Sequence, residues 1–88
     1  MEELTIKSLE DISKNKSRQD MRVYLNSRLT HYRELRAKLN SAVAMCHYLH
    51  NVEIQKEARA EFNKLFRKAS DNEKTLKYFR DVLMKNME

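Results

Sequence analysis

The chain has 88 residues, which allows one domain near the lower size limit for folding around its own core. It contains no glycine, proline or tryptophan, which excludes phosphate-cradling glycine loops and nucleophile elbows and disfavours the tight turns of a small β fold. Lysine and arginine outnumber the acids by 18 to 13, giving a net charge of +5. No apolar run approaches the roughly 20 residues of a membrane span, so no membrane partner is expected.

The first predicted element is a short helix over residues 4–13, in which three apolar side chains lie loosely on one side. A polar linker over residues 13–16 follows it. The next helix begins at a capping box, Ser17-Arg18-Gln19-Asp20. In such a box the serine oxygen accepts a hydrogen bond from the fourth residue's amide, and the carboxylate of that residue reaches back.

The long second helix is predicted over residues 17–50 because apolar side chains recur there with a heptad period, as in a coiled-coil seam. The seam residues are Met21, Leu25, Tyr32, Leu35, Leu39, Ala42, Cys46 and Leu49, and Arg28 interrupts the series. At 1.5 Å per residue this helix is about 50 Å long, more than so small a chain can cover. We therefore expect part of the seam to stay free, and a homodimer that buries it.

Two shorter helices are predicted after a break at His50-Asn51, where the seam ends and asparagine tolerates the left-handed conformation that closes a helix. The third helix covers residues 52–69. The fourth covers residues 71–87 and starts from a second capping box, Ser70-Asp71-Asn72-Glu73. One bent helix through the break is the alternative, since no glycine marks it. The expected fold class is all-α: a small helical bundle or a helical hairpin, with one long central helix and two shorter C-terminal helices.

The strongest candidate site is an arginine stripe on the first part of the second helix. Four arginines and two asparagines fall within roughly an 80° arc beside the seam, namely Arg18, Arg22, Asn26, Arg33, Arg36 and Asn40. Arginine suits phosphate because its planar fork donates two parallel hydrogen bonds. The predicted nucleic-acid-binding residues, for DNA or RNA, are Lys16, Arg18, Arg22, Arg33, Arg36 and Lys38. A solvated face, or a basic flank paired with the acids of a neighbouring helix, is the other interpretation.

The exposed seam is the second candidate site. An arginine at an apolar heptad position either pairs with a carboxylate across an interface or marks where the seam leaves the core, and we favour the second interpretation for Arg28. A partner helix from an acidic or helical protein would dock on this seam. The predicted interface residues are Met21, Tyr24, Leu25, Arg28 and Leu29. The alternative function is therefore a protein-binding adaptor or inhibitor.

The cysteine and the histidines give little indication of a disulfide, a metal site or catalysis. A single cysteine cannot form an internal disulfide, so we expect a reducing, cytoplasmic environment. Cys46 and His50 have the spacing of two metal ligands, but a structural zinc site needs four, and Cys46 fits the apolar seam. We expect no metal, no cofactor, no small-molecule substrate and no enzyme activity.

The lysine- and asparagine-rich, glycine-free composition is similar to that of small accessory proteins of large tailed phages. The function predicted from the sequence is a non-enzymatic, nucleic-acid-binding accessory protein.

Overall fold

The computed structural model describes residues 2–85, and these residues form three α-helices and no strand. Helix α1 covers Ile6–Ser13, α2 covers Arg18–Met45 and α3 covers Val52–Lys85, with a 3-10 turn at Cys46–Tyr48. The all-α prediction is confirmed for this part of the chain. The two long helices pack antiparallel as a hairpin with overall dimensions of 55 by 19 by 18 Å, and α1 packs beside its open end.

The start of α1 is fixed by a local capping box. Thr5 Oγ1 accepts from the Ser8 amide at 3.1 Å, and Ser8 Oγ accepts from the Thr5 amide at 2.9 Å. The predicted start at residue 4 is therefore early, because Leu4 precedes the cap. Leu4 and Leu9 are both buried in the core, and an apolar pair placed around a cap in this way sets the angle at which the chain enters the helix.

The second helix begins where the sequence predicts. Ser17 is its N-cap, and the Ser17 Oγ accepts from the Asp20 amide at 3.1 Å. The helix ends at Met45, before the predicted end at residue 50, because the 3-10 turn follows and Leu49 is extended, with φ −72° and ψ 136°. The long central helix is therefore shorter than expected.

The predicted break at His50-Asn51 is confirmed in position, but its cause is different. Asn51 Oδ1 accepts from the amides of Glu53 at 2.8 Å and Ile54 at 3.3 Å, which are orphan donors in the first turn of α3. No residue in the described part of the backbone has a positive φ. Asn51 thus starts α3 as an N-terminal cap, and does not end α2 in a left-handed conformation.

The predicted division of the C-terminal part into helices 52–69 and 71–87 is wrong. Helix α3 runs unbroken through Ser70-Asp71-Asn72-Glu73, and the predicted end at residue 87 lies outside the described residues. No glycine or proline is present to break the helix. Asn72 and Glu73, whose side chains would be exposed at a helix start, are instead buried by distant partners. Helix α3 is consequently longer than α2.

The core lies at the open end of the hairpin, where α1 adds a third helix to the two long ones. Its buried members are Leu4, Leu9, Met21, Leu25, Leu29, Tyr32, Ala69 and Leu76. Toward the tip, where only two helices meet, fewer apolar side chains are buried, namely Leu39 and Cys46. Ile54 and Val52, which lie there, are 52% and 60% exposed. Packing is therefore unequal along the hairpin.

The expectation that the second helix outruns its own chain is wrong, because α3 covers it. Met21, Leu25 and Leu29, predicted to dock a partner helix, are at most 1% exposed. Tyr24 packs at the edge of the same core. This burial removes the reason for expecting a homodimer through the seam.

Arg28 lies at the edge of the core, with its Nη2 donating to the Tyr32 hydroxyl at 3.3 Å and its guanidinium 5.2 Å from the centre of that ring. Leu29 and Tyr32, which follow it, are buried. The core therefore continues past Arg28, and the seam does not leave it at this point.

Candidate nucleic-acid interface

The predicted arginines lie on one flank of α2. At 100° per residue, the four of them (Arg18, Arg22, Arg33 and Arg36) fall within an arc of about 60°. The Arg36 guanidinium lies 5.3 Å from the centre of the Phe66 ring and contacts Glu73, both on α3. These contacts place the arginine flank along the line where the two long helices meet.

The two lysines predicted to assist these arginines lie elsewhere. Lys38 is about 160° around α2 from Arg36, on the outer side of the helix. Lys16 precedes α2, and its ammonium lies 5.6 Å from the ring centre of Tyr24. Tyr24 is itself about 120° around the helix from Arg36. Helical geometry therefore separates both lysines from the arginines.

Glu73 of α3 joins the last two arginines of the flank, Arg33 and Arg36. Its carboxylate accepts from Arg33 Nε at 3.4 Å and from Arg36 Nη1, and it also pairs with Lys77 Nζ at 3.4 Å. The Glu73 side chain is 4% exposed, whereas the Arg33 and Arg36 side chains remain 54% and 38% exposed. One buried carboxylate thus faces three cations that still reach the surface.

Burial raises the pKa of the Glu73 carboxyl, but the hydrogen bond and charge of Arg36 and the hydrogen bonds of Lys77 and Arg33 outweigh it. The pKa is therefore held below its ordinary value, and Glu73 is ionised at neutral pH. For Arg33 and Arg36, the alternative interpretation of a flank paired with an acid of a neighbouring helix is confirmed. These two arginines serve the fold as well as the surface.

Helix α3 adds a second row of basic side chains beside the arginine flank. Within an arc of about 120° on the side of α3 that includes Glu73 lie Lys56, Arg59, Lys74, Lys77 and Arg80. The acids in this arc are Glu73 and Asp81, and Asp81 lies 3.9 Å from the Nε of Arg80. We call this row, together with Arg18, Arg22, Arg33 and Arg36, the basic face. Its excess of bases over acids is larger than the +5 of the whole chain.

The acids gather on the other side of the hairpin. Glu53, Glu57, Glu61 and Asp71 lie within about 80° of one another on α3, interspersed with Lys64 and Lys68. The N-terminal segment is attached on this side. Leu4 N donates to Asn72 Oδ1 at 2.8 Å, and Asn72 Nδ2 donates to the Glu2 carbonyl at 2.7 Å. Asn72 is about 100° around α3 from Glu73, so this attachment lies away from the basic face.

Two open depressions lie on the basic face. One of about 290 Å³ is lined by Arg33, Arg36, Ala37, Asn40 and Phe66. The other, of about 390 Å³, is lined by Val52, Gln55, Lys56, Arg59, Ala60 and Asn63. Both are surface hollows and differ from the enclosed, mostly apolar clefts that hold small substrates. They suit an extended polyanion better than a small molecule.

The α3 row is not apparent from the sequence when a helix break is predicted at residue 70. Two separate helices have no common angular phase, so Lys56 and Arg59 could not be aligned with Lys74 and Lys77. When residues 52–85 are treated as one helix, the bases on one side and the acids on the other become visible in the sequence itself. The α3 row can therefore be predicted only when residues 52–85 are known to form one continuous helix.

Cys46 is buried, and its Sγ donates to the Ala42 carbonyl at 3.3 Å, which confirms its predicted packing role. His47 and His50 are exposed. Within residues 2–85, no group of three histidine, cysteine or acidic side chains is arranged to hold a metal ion. In the same range, no helix has a stretch long and apolar enough to cross a membrane.

Compared with protein-family models, curated proteins and solved structures, the chain matches none. The basic face is therefore the feature from which a function can be proposed.

Proposed function

We propose that the protein is a non-enzymatic, nucleic-acid-binding accessory protein that holds a phosphate backbone on its basic face. The observation that carries this proposal is the separation of charge around the hairpin. Basic side chains of both long helices gather on one face, while four of the six acids of α3 (Glu53, Glu57, Glu61 and Asp71) and the N-terminal segment lie on the other. A concentrated positive potential attracts a polyanion and speeds its encounter with the protein, and arginine forks match phosphate oxygens.

The alternative function is an adaptor or inhibitor that docks a partner helix on the exposed seam. The residues that would form this docking surface are mostly buried in the chain itself. Three of its five predicted contact residues are buried in the core of the same chain, namely Met21, Leu25 and Leu29. A partner helix could reach them only after the core had opened. The basic face needs no such rearrangement.

Two double variants test the proposal because they change the net charge equally on opposite sides. Arg22→Glu with Lys74→Glu alters the basic face, and Lys38→Glu with Lys64→Glu alters the other side; each pair takes one residue from α2 and one from α3. At about 0.1 M salt, we expect the first pair to weaken binding to a labelled mixed-sequence duplex by at least about tenfold. We expect the second pair to change that affinity by less than about threefold. Fluorescence anisotropy measures both affinities.

A salt titration completes the test. On duplex DNA the logarithm of the affinity should fall by about 0.9 per tenfold rise in salt for each phosphate neutralised, and the first pair should flatten this slope. Equal losses in the two pairs would mean that net charge, not the basic face, governs binding. If the unaltered protein binds neither DNA nor RNA at low salt, the proposed function is wrong. Circular dichroism verifies that all variants remain helical.

Arg33→Glu and Arg36→Glu are less suitable for this test. Both residues pair with the buried Glu73 carboxylate, so reversing their charge would also destabilise the contact between α2 and α3. Arg22 and Lys74, by contrast, are exposed.

A further inference from the structure

The side chains of the basic face are suited to contact phosphate more than to stack on bases. Proteins that hold single strands generally stack the bases on aromatic rings. Phe66 lines a depression on the basic face, but the Arg36 guanidinium lies over its ring at 5.3 Å. Of the most exposed tyrosines, Tyr48 lies at the tip of the hairpin, and Tyr78 lies one turn after Lys74, about 40° around α3 from it, at the edge of the basic face. The described part of the basic face therefore offers guanidinium and ammonium groups and no row of open rings.

The shape of the basic face limits which groups of a nucleic acid it can reach. Two helices lie side by side across a body 19 Å wide, whereas the major groove of B-form DNA is about 12 Å wide. The pair cannot enter that groove as a single recognition helix does. The α2 and α3 rows can instead contact phosphates on the two edges of a groove, which leaves the base edges unread.

The length and rigidity of the face favour a stiff partner. Its α3 row extends about 36 Å from Lys56 to Arg80, along one unbroken helix. A duplex presents one phosphate charge per about 1.7 Å of its axis and is stiff on this scale. A single strand has a lower charge density and would lose conformational freedom when laid along a straight face.

We propose that the basic face binds double-stranded nucleic acid across a groove, independently of base sequence and in preference to single strands. This inference rests on the proposed function and narrows it to one class of partner. Both helices take part, because each contributes a row of lysine or arginine side chains to the basic face.

The test compares four probes at the same salt concentration by anisotropy or light scattering. They are a mixed-sequence DNA duplex, one of its strands alone, an RNA duplex of the same sequence, and vesicles containing phosphatidylserine. With about five phosphate contacts and a slope difference of about 0.2 per contact, the duplex should bind roughly tenfold tighter than the strand at about 0.1 M salt. Duplexes of unrelated sequence should agree within about threefold. The ratio of the affinities for the DNA duplex and the RNA duplex shows which of the two nucleic acids the basic face prefers.

Single variants test whether the face spans a groove. Arg22→Glu on α2 and Lys74→Glu on α3 should each weaken duplex binding by at least about threefold, because both rows contact phosphate. The matched controls are Lys38→Glu and Lys64→Glu on the other side of the same helices. A loss confined to one helix would overturn the groove-spanning arrangement.

The two proposals fail in different ways. If the single strand binds as tightly as the duplex, and Arg22→Glu weakens it, the duplex preference is wrong and the proposed function stands. A strong preference for one duplex sequence would also overturn the inference alone. Binding to vesicles but to no nucleic acid would contradict both proposals.

Discussion

Asn72 and Glu73 are adjacent polar residues that are both buried, on two sides of the line along which α3 meets the core. Buried polar groups are stable only when they are hydrogen-bonded. Asn72 meets this need with the backbone of the N-terminal segment, and Glu73 meets it with Arg33, Arg36 and Lys77. One residue therefore attaches the segment before α1, and the next attaches the arginine flank of α2.

The Glu73 carboxylate should make stability depend on acidity. Since its pKa is held below the ordinary glutamate value of about 4.3, its ionised form stabilises the folded state above that pH. This stabilisation is lost as the pH falls through the lowered pKa. We expect Glu73→Gln to reduce the free energy of unfolding at pH 7 by about 2 kcal/mol, and the difference from the unaltered protein to shrink in acid.

Urea unfolding at pH 7 and at a series of lower pH values measures this difference. Lys77→Met provides a comparison, because it removes one cation from Glu73 but leaves both arginines in place. If the difference in unfolding free energy between the unaltered protein and Glu73→Gln stays constant down to about pH 3, the Glu73 carboxylate does not stabilise the fold through its charge.

At the level of the elements, two similar tetrapeptides have different structural roles. Ser17-Arg18-Gln19-Asp20 starts α2, whereas Ser70-Asp71-Asn72-Glu73 lies inside α3. A serine followed three residues later by an acid is compatible with both environments when no glycine or proline intervenes. The Ser17 oxygen receives an amide hydrogen bond, and the second tetrapeptide is held in the helix by the contacts of Asn72 and Glu73.

Alanine substitution distinguishes the two serines. Ser17→Ala removes an N-cap and should destabilise the protein by about 1 kcal/mol. Ser70→Ala replaces serine by a better helix former within a helix and should be neutral or stabilising by up to about 0.5 kcal/mol. Thermal unfolding followed by circular dichroism measures both changes. An equal loss in the two variants would mean that a helix does start at Ser70.

For the whole molecule, the decisive feature is that α3 is long enough to cover α2. The hairpin therefore buries its own seam, and α1 adds apolar contacts at the open end only. The tip has two helices and several exposed apolar side chains, including Met45, Tyr48 and Ile54. Local stability should consequently fall from the open end to the tip.

Hydrogen exchange tests this gradient within a single helix. Amides over residues 54–62 of α3 should exchange faster than those over residues 69–76, because Ala69 and Leu76 are fully buried and Ile54 is 52% exposed. The comparison is internal, since both segments belong to α3. Uniform protection along α3 would show that the hairpin opens as one cooperative unit.

Several features of the fold could be predicted from short stretches of sequence. The helical class, the N-cap at Ser17, the break beside Asn51 and the burial of Cys46 all depend on spacings of a few residues. Helix periodicity and capping act over about one turn, so nearby residues are enough to predict them. The α2 half of the basic face followed from the same local periodicity.

The amino-acid sequence by itself determined where α2 begins, that helices form throughout, and that arginines cluster on one flank of α2. Only the tertiary structure decided that Ser70 lies within a helix, that the seam is closed within the chain, and that two basic rows share one face. The contacts responsible join Asn72 to Leu4 across 68 positions, and Glu73 to Arg33 across 40. Local patterns carry no information about partners so distant in sequence, because those contacts exist only once α2 and α3 have packed together.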